Sequence, residues 1–171
     1  MRRFRQLDLR QVYLQPGELF VDNQPALVQT ILGSCVSVTL FDPRGGYGGI
    51  CHALLPTGKP EEAERHVDGA VRLLLDRMLG FGARHQMLEA KLFGGSRVLG
   101  IPPSQRLTVG EQNLAYAKQL LHKLNVQLIA EDTGGLRGRM LFFNSGSGEV
   151  FIRKVRNSTL DDIHQEVSNH G

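Results

Sequence analysis

Two rhythms of apolar residues run along this chain. Short runs rich in Val, Ile and Leu, punctuated by glycine, occupy residues 26–31, 35–41 and 49–54 and predict β-strands. Residues 87–93, 126–131, 139–143 and 149–155 have the same character. The second rhythm is helical. Residues 61–79 place Ala63, Val67, Ala70, Val71, Leu74, Leu75 and Met78 at three-and-four spacing, one apolar stripe, with Gly80 and Gly82 behind it as stops. Residues 111–124 repeat that spacing with Leu114, Ala117, Leu121 and Leu124, and Asn125 then breaks it.

Many strands with two helices between groups of them predict a mixed-sheet α/β sandwich, not a regular doubly wound sheet. Pro43-Arg44-Gly45-Gly46 marks a hairpin between two of the strands. Residues 94–105 read as a loop, Ser145-Gly146-Ser147-Gly148 as a hairpin, and Glu131-Asp132-Thr133-Gly134-Gly135 as a turn with solvated carboxylates. Lys91-Leu92-Phe93-Gly94-Gly95-Ser96 is either a tight turn or one that brings backbone near a ligand. A single domain spans 1–171, with its core at about 10–156; segments 1–9 and 157–171 are peripheral, the latter with a short helix beginning at 159–162.

Composition narrows the classes of function. With 171 residues, 41% of them apolar, the chain is long enough for a real core. No run approaches the roughly 18 apolar residues of a membrane-spanning helix, and no apolar segment follows the charged start as in a secretory signal. The expected location is the cytoplasm. The net charge of +3 is spread out, clustering only at Arg2, Arg3 and Arg5, so nucleic acid is not an expected partner. Two cysteines are too few for a disulfide scaffold and should be thiols.

Gln29-Thr30-Ile31-Leu32-Gly33-Ser34-Cys35-Val36 sets a cysteine just after a Gly-Ser turn, at the mouth of a strand. There a thiol can be exposed while its backbone is held, and the N–H groups around Gly33 and Ser34 can face a developing oxyanion. The competing reading is a cysteine used as a small buried hydrophobe. Gly48-Gly49-Ile50-Cys51-His52-Ala53 puts His52 in a strand that the hairpin brings beside Cys35, within reach of proton transfer. Alternation splits Cys51 from His52, so Cys51 is read as core. The same alternation argues against a zinc site built from Cys35, Cys51 and His52; the other histidines (His66, His85, His122, His164, His170) form no ligand pattern and read mostly as surface.

These segments closely resemble the chemoreceptor glutamine deamidase family, CheD. The resemblance runs through Thr30 to Val38, Gly48 to Pro56, Lys91 to Gly95, Glu131 to Gly135, and Gly148-Glu149-Val150 with Arg153-Lys154-Val155. It implies a three-layer α/β/α sandwich with mixed, largely antiparallel sheets, similar to the deamidase domain of cytotoxic necrotizing toxins. It also implies a Cys–His–Thr triad of Cys35, His52 and Thr30, with Thr39 a second hydroxyl nearby. The implied reaction hydrolyses receptor glutamines to glutamate and ammonia without metal or cofactor. Implied partners are the cytoplasmic helices of methyl-accepting chemotaxis receptors and, in some bacteria, a CheC-type phosphatase. Rival readings are proteolysis or transglutamination by the same residues, and a non-catalytic chemotaxis adaptor.

Overall fold

A computed structural model describes residues 8–97 and 106–156. Their strands are β1 (Arg10–Tyr13), β2 (Leu19–Val21), β3 (Ala26–Leu32), β4 (Val36–Asp42), β5 (Tyr47–Cys51), β6 (Glu89–Gly94), β7 (Gln127–Thr133), β8 (Arg139–Asn144) and β9 (Val150–Lys154). The helices are α1 (Val67–Gly80) and α2 (Val109–Lys123). A four-stranded sheet runs β1-β3-β8-β9 and a five-stranded sheet runs β2-β5-β4-β6-β7. Both are mixed, with β1·β3 and β6·β7 parallel and every other pair antiparallel.

Strand alternation assigns each side chain to a layer. Val36, Val38 and Leu40 of β4, with Ala90 and Leu92 of β6, pack under Val71, Leu74 and Met78 of α1 and Ala117 and Leu121 of α2. On the opposite face, Ile50 and Phe93 meet Ala26, Val28, Leu32, Leu141 and Phe143 of the four-stranded sheet. Each fully buried Leu, Val or Phe in these two cores contributes roughly 1.5–3 kcal/mol. The five-stranded sheet, buried on both faces, is thus the middle layer. The order is helix, sheet, sheet, and not the expected helix, sheet, helix: among the described residues both helices lie on one face of the middle sheet, and the second sheet takes the other.

The first helix is shorter than its apolar stripe suggested. Residues Pro60–Arg65 form a 3₁₀ turn, and His66 is extended (φ −119°, ψ 154°). Backbone pairing explains the break: the Leu54 N–H donates to Arg65 O at 2.8 Å, and the Val67 N–H donates to Leu55 O at 2.8 Å. His66 is therefore buried and not at the surface. Asp132, read as solvated, keeps its side chain 39% exposed but also accepts from the buried Arg139 guanidinium and from Lys154, both at 2.8 Å. This ties β7 of one sheet to β8 and β9 of the other. The expected helix at 159–162 and most of the 94–105 loop lie outside the described residues. Among the described residues no helix is long and apolar enough to cross a membrane.

The β4–β5 hairpin is fixed at its tip by Asp42. Its buried carboxylate accepts the N–H groups of Arg44 at 2.9 Å, and of Gly45 and Arg84 at 3.1 Å. Burial is the largest single influence and pushes this acid's pKa up, but the three backbone donors together hold it below the ordinary carboxylate value. A depressed folded-state pKa gives stability that is complete above the unfolded value, near pH 4, and fades as pH falls through the folded one. Asp42→Ala should lower unfolding free energy at pH 7 by roughly 1–3 kcal/mol, the cost of leaving buried donors unmet. Urea denaturation should show that difference shrinking below about pH 4.

Candidate functional site

The β4–β5 ladder pairs Asp42 with Tyr47, Leu40 with Gly49 and Thr39 with Ile50. It continues through a bridge between Val36 and Ala53, whose N–H groups donate reciprocally at 3.0 and 2.9 Å. On this register His52 stands opposite Ser37. Cys35, two residues before Ser37, shares its face and is a diagonal neighbour of His52, a relation that leaves Cβ atoms roughly 7–8 Å apart or less. Packing agrees with the alternation. Cys35 lies against the inter-sheet core, whereas Cys51 belongs to the core beneath the helices.

His52 is buried, and its backbone is held on the far side by the segment leading into β2. The Gly17 N–H donates to His52 O at 2.8 Å and the His52 N–H donates to Glu18 O at 3.0 Å. Thr30, on β3 of the opposite sheet, meets the imidazole: its Oγ1 lies 2.7 Å from Nδ1. The same hydroxyl donates to Leu14 O at 2.8 Å. A hydroxyl has one hydrogen, so Thr30 can only accept from the ring. His52 then carries its proton on Nδ1, and Nε2 is the nitrogen with the basic lone pair. Thr30 is the hydroxyl bonded to the ring; Thr39 sits opposite Ile50, two pairs further from Cys35 than the Ser37–His52 pair.

The turn at Gly33, Ser34 and Cys35 is anchored through three successive carbonyls. Gly33 O accepts from Ser96 N–H at 3.0 Å and Ser96 Oγ at 2.8 Å. Ser34 O accepts from Asn113 Nδ2 at 3.1 Å, and Cys35 O from Gly95 N–H at 2.9 Å. The 91–96 segment therefore does bring backbone close, but to the Cys35 turn. A Cβ on Gly94 would stand 2.3 Å from Cys35 O, and its φ of +99° excludes side chains as well. Gly110 serves the same contact from α2, since a Cβ there would lie 2.6 Å from Gly95 O. An Arg97–Glu111 ion pair and the Thr108–Glu111 capping box fix the start of α2 against this turn.

Asn113, the bonds made by Ser96 and the Leu14 carbonyl were absent from the sequence reading, which had Ser96 only as the end of the 91–96 turn. Asn113 had a signal: with Gly110, Ala117, Leu120 and Leu121 it forms the buried stripe of α2, where an amide has no place unless it bonds something. Ser96 and Leu14 had none, because their bonds join segments remote in sequence.

Burial pushes the half-buried Cys35 thiol up to about 11; its own N–H, beside the sulfur, and the Arg65 charge pull it partway back. The fully buried Cys51 is likewise raised to about 11 by desolvation. Access therefore separates the two thiols, while ionisation limits the rate of either. Iodoacetamide should modify Cys35 alone in the folded protein, its rate rising about tenfold per pH unit from pH 7 towards 10, because only thiolate reacts. Peptide mapping of the labelled protein checks both points; labelling of Cys51 at a comparable rate would contradict the burial.

The family model described as CheD chemotactic sensory transduction matches residues 54–154. A Geobacter sulfurreducens protein named probable chemoreceptor glutamine deamidase CheD 2 is 42% identical over 153 residues, covering 90% of this chain and 95% of that protein. A Pyrococcus horikoshii protein named probable chemoreceptor glutamine deamidase CheD is 39% identical, covering 86% and 94%. Among solved structures, the Bacillus licheniformis hypothetical protein YfiH aligns with a TM-score of 0.48 at 15% identity, over 67% of this chain and 50% of that one. With the family model covering more than half of its length, and relatives near 40% identity matched almost end to end, this chain belongs to the CheD family.

Proposed function

We propose that this protein hydrolyses glutamine side-chain amides to glutamate, with release of ammonia, on the cytoplasmic helices of methyl-accepting chemotaxis receptors. Support comes from the names of its relatives, and from one observation above all: the Thr30–His52 hydrogen bond orients an imidazole on the face that carries Cys35. Cys35 is the nucleophile, His52 the proton carrier and Thr30 the residue that orients it. Gly33 and Ser34 form the turn whose peptides present the Ser34 and Cys35 N–H groups to the oxyanion.

The free thiol is protonated, so attack and proton transfer go together. The Cys35 proton passes to His52 Nε2 as sulfur bonds to the carboxamide carbon, and the carbonyl oxygen takes up negative charge. Backbone N–H groups at Ser34 and Cys35 answer that charge; losing one such donor elsewhere costs about 10²–10³ in kcat. The C–N bond breaks as His52 returns the proton to nitrogen, and ammonia leaves a thioester on Cys35. Water then attacks the thioester while His52 takes its proton. The C–S bond breaks, the thiol is restored and glutamate is released. Every step uses groups of this chain and water.

The proposed workplace is the cytoplasm, where such receptor helices lie. A CheC-type phosphatase is the other proposed partner; in the same groove it would compete with receptor. The proposed kinship with the toxin deamidase domains would lie in a Cys–His pair borne by a strand-rich scaffold, since among the described residues both helices lie on one face of the middle sheet.

Incubation with a receptor fragment tests this reading. Cys35→Ala should abolish ammonia release and the Gln-to-Glu mass gain, whereas Cys51→Ala should retain both. Equal loss in the two would assign the chemistry to the wrong thiol. Thr30→Val keeps shape but removes the acceptor for Nδ1–H; kcat should fall by roughly ten- to a hundredfold, part of the about 10²–10⁴ that positioned proton transfer supplies. An adaptor would bind receptor equally well with Cys35 alkylated and release no ammonia in either state.

A further inference from the structure

Beyond the Val36–Ala53 bridge the β4–β5 ladder stops. In a continued ladder the Ser34 carbonyl would receive the Leu55 N–H. That N–H turns instead to Arg65 O, at 3.4 Å, because residues 54–55 leave β4 to pair with the segment ahead of α1. The Ser34 carbonyl, next to the candidate nucleophile, thus loses its strand partner. Asn113 supplies a replacement from the opposite layer. Its Nδ2 donates to Ser34 O at 3.1 Å and to Leu54 O at 3.0 Å, and the residue is fully buried in α2.

Two carbonyls cannot bond each other; a donor with two hydrogens must stand between them. A side-chain amide has that inventory, while a carboxylate has none of it. The amide cannot be flipped, since Oδ1 would then face two oxygens. Oδ1 itself is buried with no hydrogen-bond partner among the described residues, so the arrangement leaves one polar atom unsatisfied to keep the two donor bonds.

The consequence lies at the other end of the peptide. The Ser34–Cys35 bond is trans, as are all those described, so its C=O and N–H point in opposite directions across one rigid plane. Holding Ser34 O towards α2 turns the Cys35 N–H away from the helices. We infer that Asn113 is a positioning residue: by gripping the Ser34 carbonyl it aims the Cys35 N–H at the oxyanion of the acyl-transfer step. Ser96 treats the adjacent plane alike, since its N–H and Oγ hold Gly33 O and so direct the Ser34 N–H. This inference rests on Cys35 being the nucleophile.

Two reactions of the same sulfur separate positioning from general loosening. Attack on a glutamine amide creates an oxyanion; displacement at the saturated carbon of iodoacetamide does not. Asn113→Asp keeps size but replaces the donor pair with acceptors, and Asn113→Ala removes the group without adding charge. In folded protein, recognised by protection of Cys51 from labelling, either change should lower kcat on a receptor fragment by about ten- to a hundredfold, a misaimed donor being worth less than the roughly 10²–10³ of a deleted one. KM and the rate of Cys35 alkylation should each stay within about threefold, because neither depends on the oxyanion. Unchanged kcat in folded Asn113→Ala would overturn the inference, and so would equal falls in kcat and alkylation. Should neither variant fold, Asn113→Ser, whose single hydroxyl hydrogen cannot serve both carbonyls, carries the same pair of measurements with the same deciding outcomes. Turnover by Cys35→Ala in the parallel assay would refute the nucleophile itself, a result independent of anything Asn113 does.

Discussion

A slip of β5 by one residue against β4 would carry Cys51 into the place of His52 and turn the imidazole under the helices. Side chains in a strand alternate with a period of two, so no intermediate register exists. Several features of this chain pin the register. The Asp42 carboxylate gathers three backbone N–H groups at the hairpin, two of them from the turn itself. Both faces of the middle sheet are buried, and Gly49 leaves no room for a side chain, as a Cβ there would lie 2.7 Å from Leu74 Cδ1 and from Val21 Cγ2. A strand slipped the other way would bring Ile50 against those same atoms. The site is therefore as secure as the core is, because one alternation sets both.

The two layers flanking the middle sheet serve the site in different ways. The four-stranded sheet supplies a side-chain contact, Thr30 to His52, which fixes the ring and its tautomer. The helix layer works on backbone: Asn113 holds the Ser34 carbonyl, while Gly95 and Ser96, in the segment leaving β6, hold those of Cys35 and Gly33. This division follows from where the chain turns. Between β3 and β4 the backbone passes from one sheet to the other, and residues 33–35 make that passage. A crossing segment has no ladder of its own, so its polar groups must be met by neighbours on either side. The candidate nucleophile stands on that crossing segment, its peptides held through their carbonyls while the neighbouring sheet holds the imidazole.

Alternation made much of this legible in the sequence. The runs at 35–41 and 49–54 became β4 and β5, and the split of Cys51 from His52 needed only their neighbouring positions. The Gly33-Ser34 turn before Cys35 was equally local. What escaped had no local signature. Strand β1 lies at a sheet edge with an exposed, mixed-polarity sequence, and β2 is three residues long. The apolar stripe from Ala63 to Met78 runs on through His66, so nothing in it announces that Leu54 and Leu55 capture the backbone there. Asp132 looked like a turn carboxylate because Arg139 and Lys154 reach it from the other sheet. The helix-on-both-sides order came from the family resemblance and not from periodicity, which shows that a helix has an apolar face but not which side of a sheet it covers.

A thiol raised to about 11 looks ill suited to nucleophilic work, since at neutral pH only roughly one in ten thousand is ionised. Yet the cause of the shift is the burial that places sulfur against the inter-sheet core, on the same face as His52. A resting ion pair would put two charges there, where desolvation is costly and the nearby Arg65 helps only the thiolate. Keeping the thiol protonated avoids that cost in the free protein. In the proposed reaction it defers charge separation until a substrate amide stands between sulfur and the backbone donors, when the growing negative charge falls on oxygen and not on sulfur. The Thr30 bond suits this arrangement, since a neutral hydroxyl orients the Nδ1–H tautomer without stabilising imidazolium as a carboxylate would. A protonated thiol and rigid peptide donors thus belong together in the proposed reaction: one spares the resting protein a buried charge, and the others meet the charge when it forms on oxygen.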